Sequence, residues 1–139
     1  MPGLAACLAR IGPTDPEARR QALERLLAAE AGPPLGRPFE LALRLAAITG
    51  QLRPLLAPRV AVLAREAGAA ARLAAHCRAA VERPPAGGLE AVLAWGEALC
   101  ARTALLALEG EGLDGEALAG LLLAAAAARR PVLCDRCPL

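Results

Sequence analysis

The residues with the most specific chemical spacing in this chain are Cys134-Asp135-Arg136-Cys137. Two residues between thiols suit either a disulfide-exchange couple or half of a tetrahedral zinc site. An exchange couple normally opens a helix, where the dipole lowers the thiol pKa; this pair instead follows an expected helix. Zinc needs a second pair of ligands, and His76-Cys77 is the one candidate doublet. Adjacent helical residues point ~100° apart, and Cys77 falls on an apolar stripe. Cys7 and Cys100 stand alone. Cys134 and Cys137 therefore enter as redox or metal candidates, against the plainer reading of thiols in a tail, and no metal or other cofactor is assigned.

A second constellation is basic. If residues from about 59 to 83 form one long helix, Val60, Leu63, Ala67, Ala70, Ala74, Cys77 and Val81 make an apolar seam. Arg65, Arg72, His76 and Arg83 then fall within about 20° of one line on the opposite side. Gly68, Ala69, Ala79 and Ala80 between them would not obstruct a partner. This strip is the candidate partner-binding surface, suited to acidic groups; an ordinary solvated face is the bland alternative.

Charge distribution points the same way. The formal net charge is only +2, yet it hides two opposed blocks. From Arg37 to Arg83 eight arginines face Glu40, Glu66 and Glu82, a net of +5. From Pro84 to Ala128 Arg102 faces Glu90, Glu97, Glu109, Glu111, Asp114 and Glu116, a net of −5. Such blocks can meet within one molecule, between identical subunits or across a hetero-complex. Nucleic acid is disfavoured, because stacking aromatics are missing and the strip releases few counterions.

Composition removes much else. Lysine, serine, asparagine and tyrosine are absent, and alanine and leucine supply 63 of the 139 residues. Serine nucleophiles, tyrosine acids and lysine Schiff bases are thereby excluded. One histidine rules out multi-histidine metal sites within a chain. Residues of AT-rich codons are scarce, so part of this bias is mutational. Trp95, the single tryptophan, reads as core rather than interface anchor.

One local segment, Val92-Leu93-Ala94-Trp95-Gly96-Glu97-Ala98-Leu99-Cys100-Ala101, with its helix continuing to Leu108, resembles part of aspartate kinases. There the Gly-Glu helps bind the amino-acid substrate, which would correspond to Glu97, with Cys100 where serine is usual. The kinase's glycine-rich nucleotide strand and its lysine have no counterpart, and no activity is carried over.

Proline and glycine punctuate the elements that must position these groups. Asp15 before Pro16 caps a helix running to about Ala31, and Thr14 with Glu17 offers a capping box. A second helix is expected from Pro38 to Gly50, and a turn or short helix around Pro54 and Pro58. The long helix follows, then one from Leu89 to Glu109. Asp114 caps the last, which ends at Arg129-Arg130 before Pro131. No stretch alternates with a period of two, so no strand is expected.

The expected architecture is all-α: a single-domain antiparallel bundle of five or six helices over residues 1–130, with a short tail at 131–139 and no sheet. The expected function is a non-catalytic interaction or assembly subunit, forming a homo-oligomer or hetero-complex through an acidic partner surface. The alternative is a small thiol-redox or zinc protein using Cys134 and Cys137. The longest uncharged run, Ala117 to Ala128, is too short to span a bilayer. Five cysteines without a signal peptide suggest the cytoplasm, with Arg10 preceding any acid leaving a mitochondrial presequence as the alternative.

Overall fold

The computed structural model describes residues 3–29, 36–65 and 67–135. In chain order the first elements are helices α1 (Leu4–Arg10), α2 (Pro16–Ala29) and α3 (Arg37–Thr49). Then strands and helices alternate: β1 (Arg59–Val62), α4 (Ala69–His76), β2 (Ala80–Glu82), α5 (Gly88–Ala101), β3 (Leu105–Glu109), α6 (Gly115–Ala127) and β4 (Val132–Asp135). The chain divides into two compact units, Met1–Gly12 with Leu56–Leu139 and Pro13–Leu55.

The smaller unit is the pair α2–α3. Asp15 caps α2 as its sequence implies, accepting from the backbone N–H groups of Glu17 and Ala18 at 3.0 Å each. Its own N–H donates to the Ala47 carbonyl at 2.7 Å, which ties the start of α2 to α3. Gly50 ends α3 in the left-handed region, at φ 68°. Ala22, Leu43 and Ala46 form the buried contact, with Leu23, Leu26 and Phe39 packed around it.

The larger unit overturns the expectation of an all-α helical bundle without a sheet. It is an α/β fold around four parallel strands in the order β2-β1-β3-β4. The register sets Val60 beside Leu106 and Val62 beside Leu108, then Leu106 beside Val132. Parallel strands covered on both faces read as continuous apolar runs, not as alternation. Val60-Ala61-Val62-Leu63 is such a run, while Leu105-Leu106-Ala107-Leu108 is as continuously apolar although only Leu106 and Leu108 are buried; both are written largely in alanine and leucine, the strongest helix formers. Local propensity thus pointed to helix, and pairing with distant strands won.

The expected helix from 59 to 83 is consequently a strand, a helix and a second strand. Gly68 (φ 115°) precedes α4, and Arg78 adopts φ 56° to turn the chain into β2. The helix expected to reach Glu109 stops at Ala101. Beyond it the Thr103 hydroxyl donates to the Leu99 carbonyl at 2.8 Å, and the Ala104 N–H reaches the Pro58 carbonyl at 2.8 Å, starting β3. Part of the expected tail is β4.

The main core lies between one sheet face and α1, α5 and α6. Val60, Val62, Leu106 and Leu108 meet Leu93, Leu99, Cys100 and Leu121 there. Trp95 is partly buried and packs against this core. Helices α5 and α6 approach very closely: a Cβ on Gly120 would stand 2.9 Å from Val92 Cγ1, and one on Gly96 3.0 Å from Ala124 Cβ. Within this unit, the described helix packed on the other sheet face is α4, through Ala61, Leu63 and Ala74 with Ala71, Ala79, Val81 and Ala107.

Candidate functional site: a half-covered sheet face

Among the described residues of this unit α4 is the helix on the second face, and a groove of about 400 Å³ opens beside it. Its floor is Ala61 of β1, Leu105 and Ala107 of β3, and Leu133 of β4; its wall is the α4 flank carrying Ala70, Leu73, Ala74 and Cys77. Leu73 is 63% exposed and Leu133 53% exposed. Strand alternation produces the floor: Leu106 and Leu108 turn into the main core, so Leu105 and Ala107 must turn the other way.

The two ends of the groove differ in charge. At the amino end of the strands Arg59 donates to the Leu56 and Cys77 carbonyls, both at 3.1 Å. At the carboxyl end stand Glu109 and Asp135. Glu109 also accepts from the Ala64 N–H at 2.9 Å, bridging from β3 to the loop after β1. This is where the strand order reverses, since the chain goes outward from β1 to β2 and returns to β3 on the other side. Clefts beside the carboxyl ends of strands at such a reversal are the usual ligand sites of open α/β sheets.

The loop joining β3 to α6, Gly110-Glu111-Gly112-Leu113-Asp114-Gly115, has the G-x-G-x-x-G spacing of dinucleotide sites, with Asp135 ending the next strand. Its glycines read as a helix stop until a strand is known to precede them. The geometry does not suit a pyrophosphate. The Asp114 carboxylate already occupies the start of α6, accepting from the Ala117 N–H at 2.7 Å. A Cβ on Gly112 would meet the Glu109 carboxylate at 2.6 Å, and one on Gly115 would meet nothing within 4 Å. The second glycine thus makes room for a carboxylate, and the third serves no close helix–strand packing.

The four basic candidates are spread over three elements rather than one helix. Arg65 follows β1, Arg72 and His76 are on α4, and Arg83 follows β2. All four are exposed, and among the described residues none takes part in an ion pair. Arg65, Arg83 and the first turn of α4, with Arg72, share the carboxyl end of the sheet; His76 ends α4 at the opposite end.

Cys134 sits in β4, half-buried, and its sulfur is in a disulfide. Cys137 lies outside the described residues. Cys77 is an exposed thiol on the groove wall, whereas Cys7 and Cys100 are buried. Burial pushes the Cys100 thiol up to about 11, against the opposing effect of the nearby Arg130 guanidinium. Glu97, the residue aligned with the kinase-like segment, pairs with Arg10 of α1. Among the described residues no group of three or more His, Cys, Asp or Glu is placed to hold a metal ion. Nor is any described helix long and apolar enough to cross a membrane.

Neither a family model nor a curated protein matches the chain.

Proposed function

We propose that this chain is a non-catalytic interaction and assembly subunit whose working surface is the groove beside α4. The partner sets apolar side chains on Ala107, Leu105 and Leu133 and presents acidic groups to the exposed cations at the carboxyl end of the sheet, Arg65, Arg72 and Arg83, while His76 flanks the groove at its other end. The observation that carries this reading is the pairing of Leu73 and Leu133, both more than half exposed, across one hydrocarbon-lined groove. Fully burying a leucine contributes roughly 1.5–3 kcal/mol, whereas a rim ion pair contributes about 0–1 kcal/mol. The floor therefore supplies affinity, and the arginines supply orientation and encounter rate.

The dye anilinonaphthalene sulfonate, an apolar ring system with one negative charge, is a suitable probe. At concentrations low enough to leave the groove open, the wild-type protein should enhance its fluorescence saturably, and a Leu73→Glu/Leu133→Glu variant with an unchanged circular dichroism spectrum should lose most of that signal. Equal enhancement by both proteins would remove the groove as the working surface.

The Cys134 disulfide supports the thiol-exchange alternative. Its test is reduction by a thioredoxin-type dithiol: exchange at a poise near that of cytosolic couples would favour it, and resistance would count against it.

A further inference from the structure

We infer that the partner which fills this groove is a second copy of the chain, with α4 of each protomer lying in the groove of the other about a two-fold axis. The inference rests on the interaction reading above and names its partner.

Length and width agree first. The floor runs from Arg59 and Leu105 to Glu109, about 13 Å at the rise of a strand. Helix α4 has eight residues, about 12 Å at the helical rise. Across, the floor passes from β1 over β3 to β4, two strand spacings or roughly 10 Å. That is the width an alanine-rich helix needs, since helices pack at interaxial distances of about 8–10 Å. The sequence of α4, Ala69-Ala70-Ala71-Arg72-Leu73-Ala74-Ala75-His76, offers one large apolar side chain, five alanines and the two polar side chains Arg72 and His76.

Symmetry then decides the charges. Ala71 and Ala74 face the sheet of their own protomer, so Arg72, Leu73 and His76 point away from it at ~100° per residue. Helix α4 covers β1 and β2, and the groove lies over β3. To place two sheets face to face and carry α4 from one side to the other, the two-fold axis must run along the strands. A face-to-face axis across the strands would set α4 on α4. An axis along the strands preserves their direction, so the start of each α4 arrives at the carboxyl end of the other sheet. Arg72, in the first turn, then meets Glu109 and Asp135, and the positive end of the helix dipole faces the same carboxylates. Leu73 lands on the floor beside Leu133. His76 arrives at the other end, beside Arg59, which is already held by two main-chain carbonyls.

Because wall and occupant are the same helix, the contact is isologous and closes as a dimer. It also unites the two charge blocks, since Arg72 belongs to the positive block and Glu109 to the negative one.

The experiment is sedimentation equilibrium on the full chain over a range of micromolar concentrations, at low and high salt. The wild type should be a dimer that weakens as salt rises. Arg72→Glu and Asp135→Arg should each raise the dissociation constant about tenfold or more. The double variant, which exchanges the two charges, should recover most of the loss. Leu73→Glu, an exposed position whose substitution spares the core, should give a monomer. A wild type that stays monomeric, or a dimer indifferent to both Leu73→Glu and Arg72→Glu, overturns the inference. The dye experiment separates the two failures. A monomer whose dye signal still depends on Leu133 keeps the interaction reading with another partner, whereas a monomer without that signal ends both.

Discussion

Replacing Gly120 by alanine tests the close approach of α5 and α6. In an isolated helix the change would help, by about 1 kcal/mol. Here the new Cβ would stand 2.9 Å from Val92 Cγ1, 3.1 Å from Val92 Cβ and 3.2 Å from the Leu93 backbone nitrogen. None of these is the free tip of a flexible side chain. Valine in a helix has essentially one rotamer, and the other contact is main chain, so α5 and α6 must separate by several tenths of an ångström. Overpacking of this kind costs about 1–3 kcal/mol, and the geometry argues for the upper half. The net expectation is a loss of about 1–2 kcal/mol. Urea denaturation followed by Trp95 fluorescence reads it directly, because Trp95 lies on α5 and packs against this core. With a slope of about 2 kcal/mol per molar, the middle of the usual range, the midpoint should fall by roughly 0.5–1 M. Gly115→Ala is the control, since a Cβ there meets nothing within 4 Å. It should raise the stability slightly, by about 0.4–1 kcal/mol. A Gly120→Ala variant as stable as the wild type would refute the α5–α6 packing, as would shifts of the same sign in both.

Two further predictions concern the site and the core. Glu109→Ala removes the acceptor for the Ala64 N–H; leaving such a group unsatisfied costs about 1–3 kcal/mol, and amide exchange at Ala64 should speed up well before global unfolding. Cys100 keeps its proton more tightly folded, at about 11, than at its ordinary value of 9.0. The folded state therefore binds more protons between these values, and stability should decline as pH rises from about 9 to about 11. With no lysine or tyrosine in the chain, thiols are the main side chains that titrate in that window, and Cys100→Ala should flatten the slope measured by chemical denaturation.

Local chemistry made part of this protein legible before its fold was known. Asp15 with Pro16, Gly50, Asp114 and the breaks near residues 84–88 mark helix ends, because capping and turn geometry involve neighbours in sequence. Helices α2, α3 and α6 follow from those signals, and composition alone removes several nucleophiles. The same rules failed between 59 and 83 and again at 105–109. There alanine, leucine and valine satisfy a helix and a parallel strand equally well, and the deciding hydrogen bonds come from strands more than ten residues away. The glycine spacing before α6 lost its meaning for the same reason, since it signifies something only after a strand.

The candidate surface divides along that line too. Sequence alone determined that the exposed cations are arginines, with one histidine, in a positive block separate from a negative one, for that is fixed by which residues the chain contains. Only the tertiary structure decided where they stand. It moved Arg65 and Arg83 into loops, left Arg72 and His76 on a short helix, and drew Glu109 and Asp135 together at the end of a groove no local pattern announces. A groove is a property of a sheet face left half covered, and coverage depends on long-range packing that no window of neighbouring residues records.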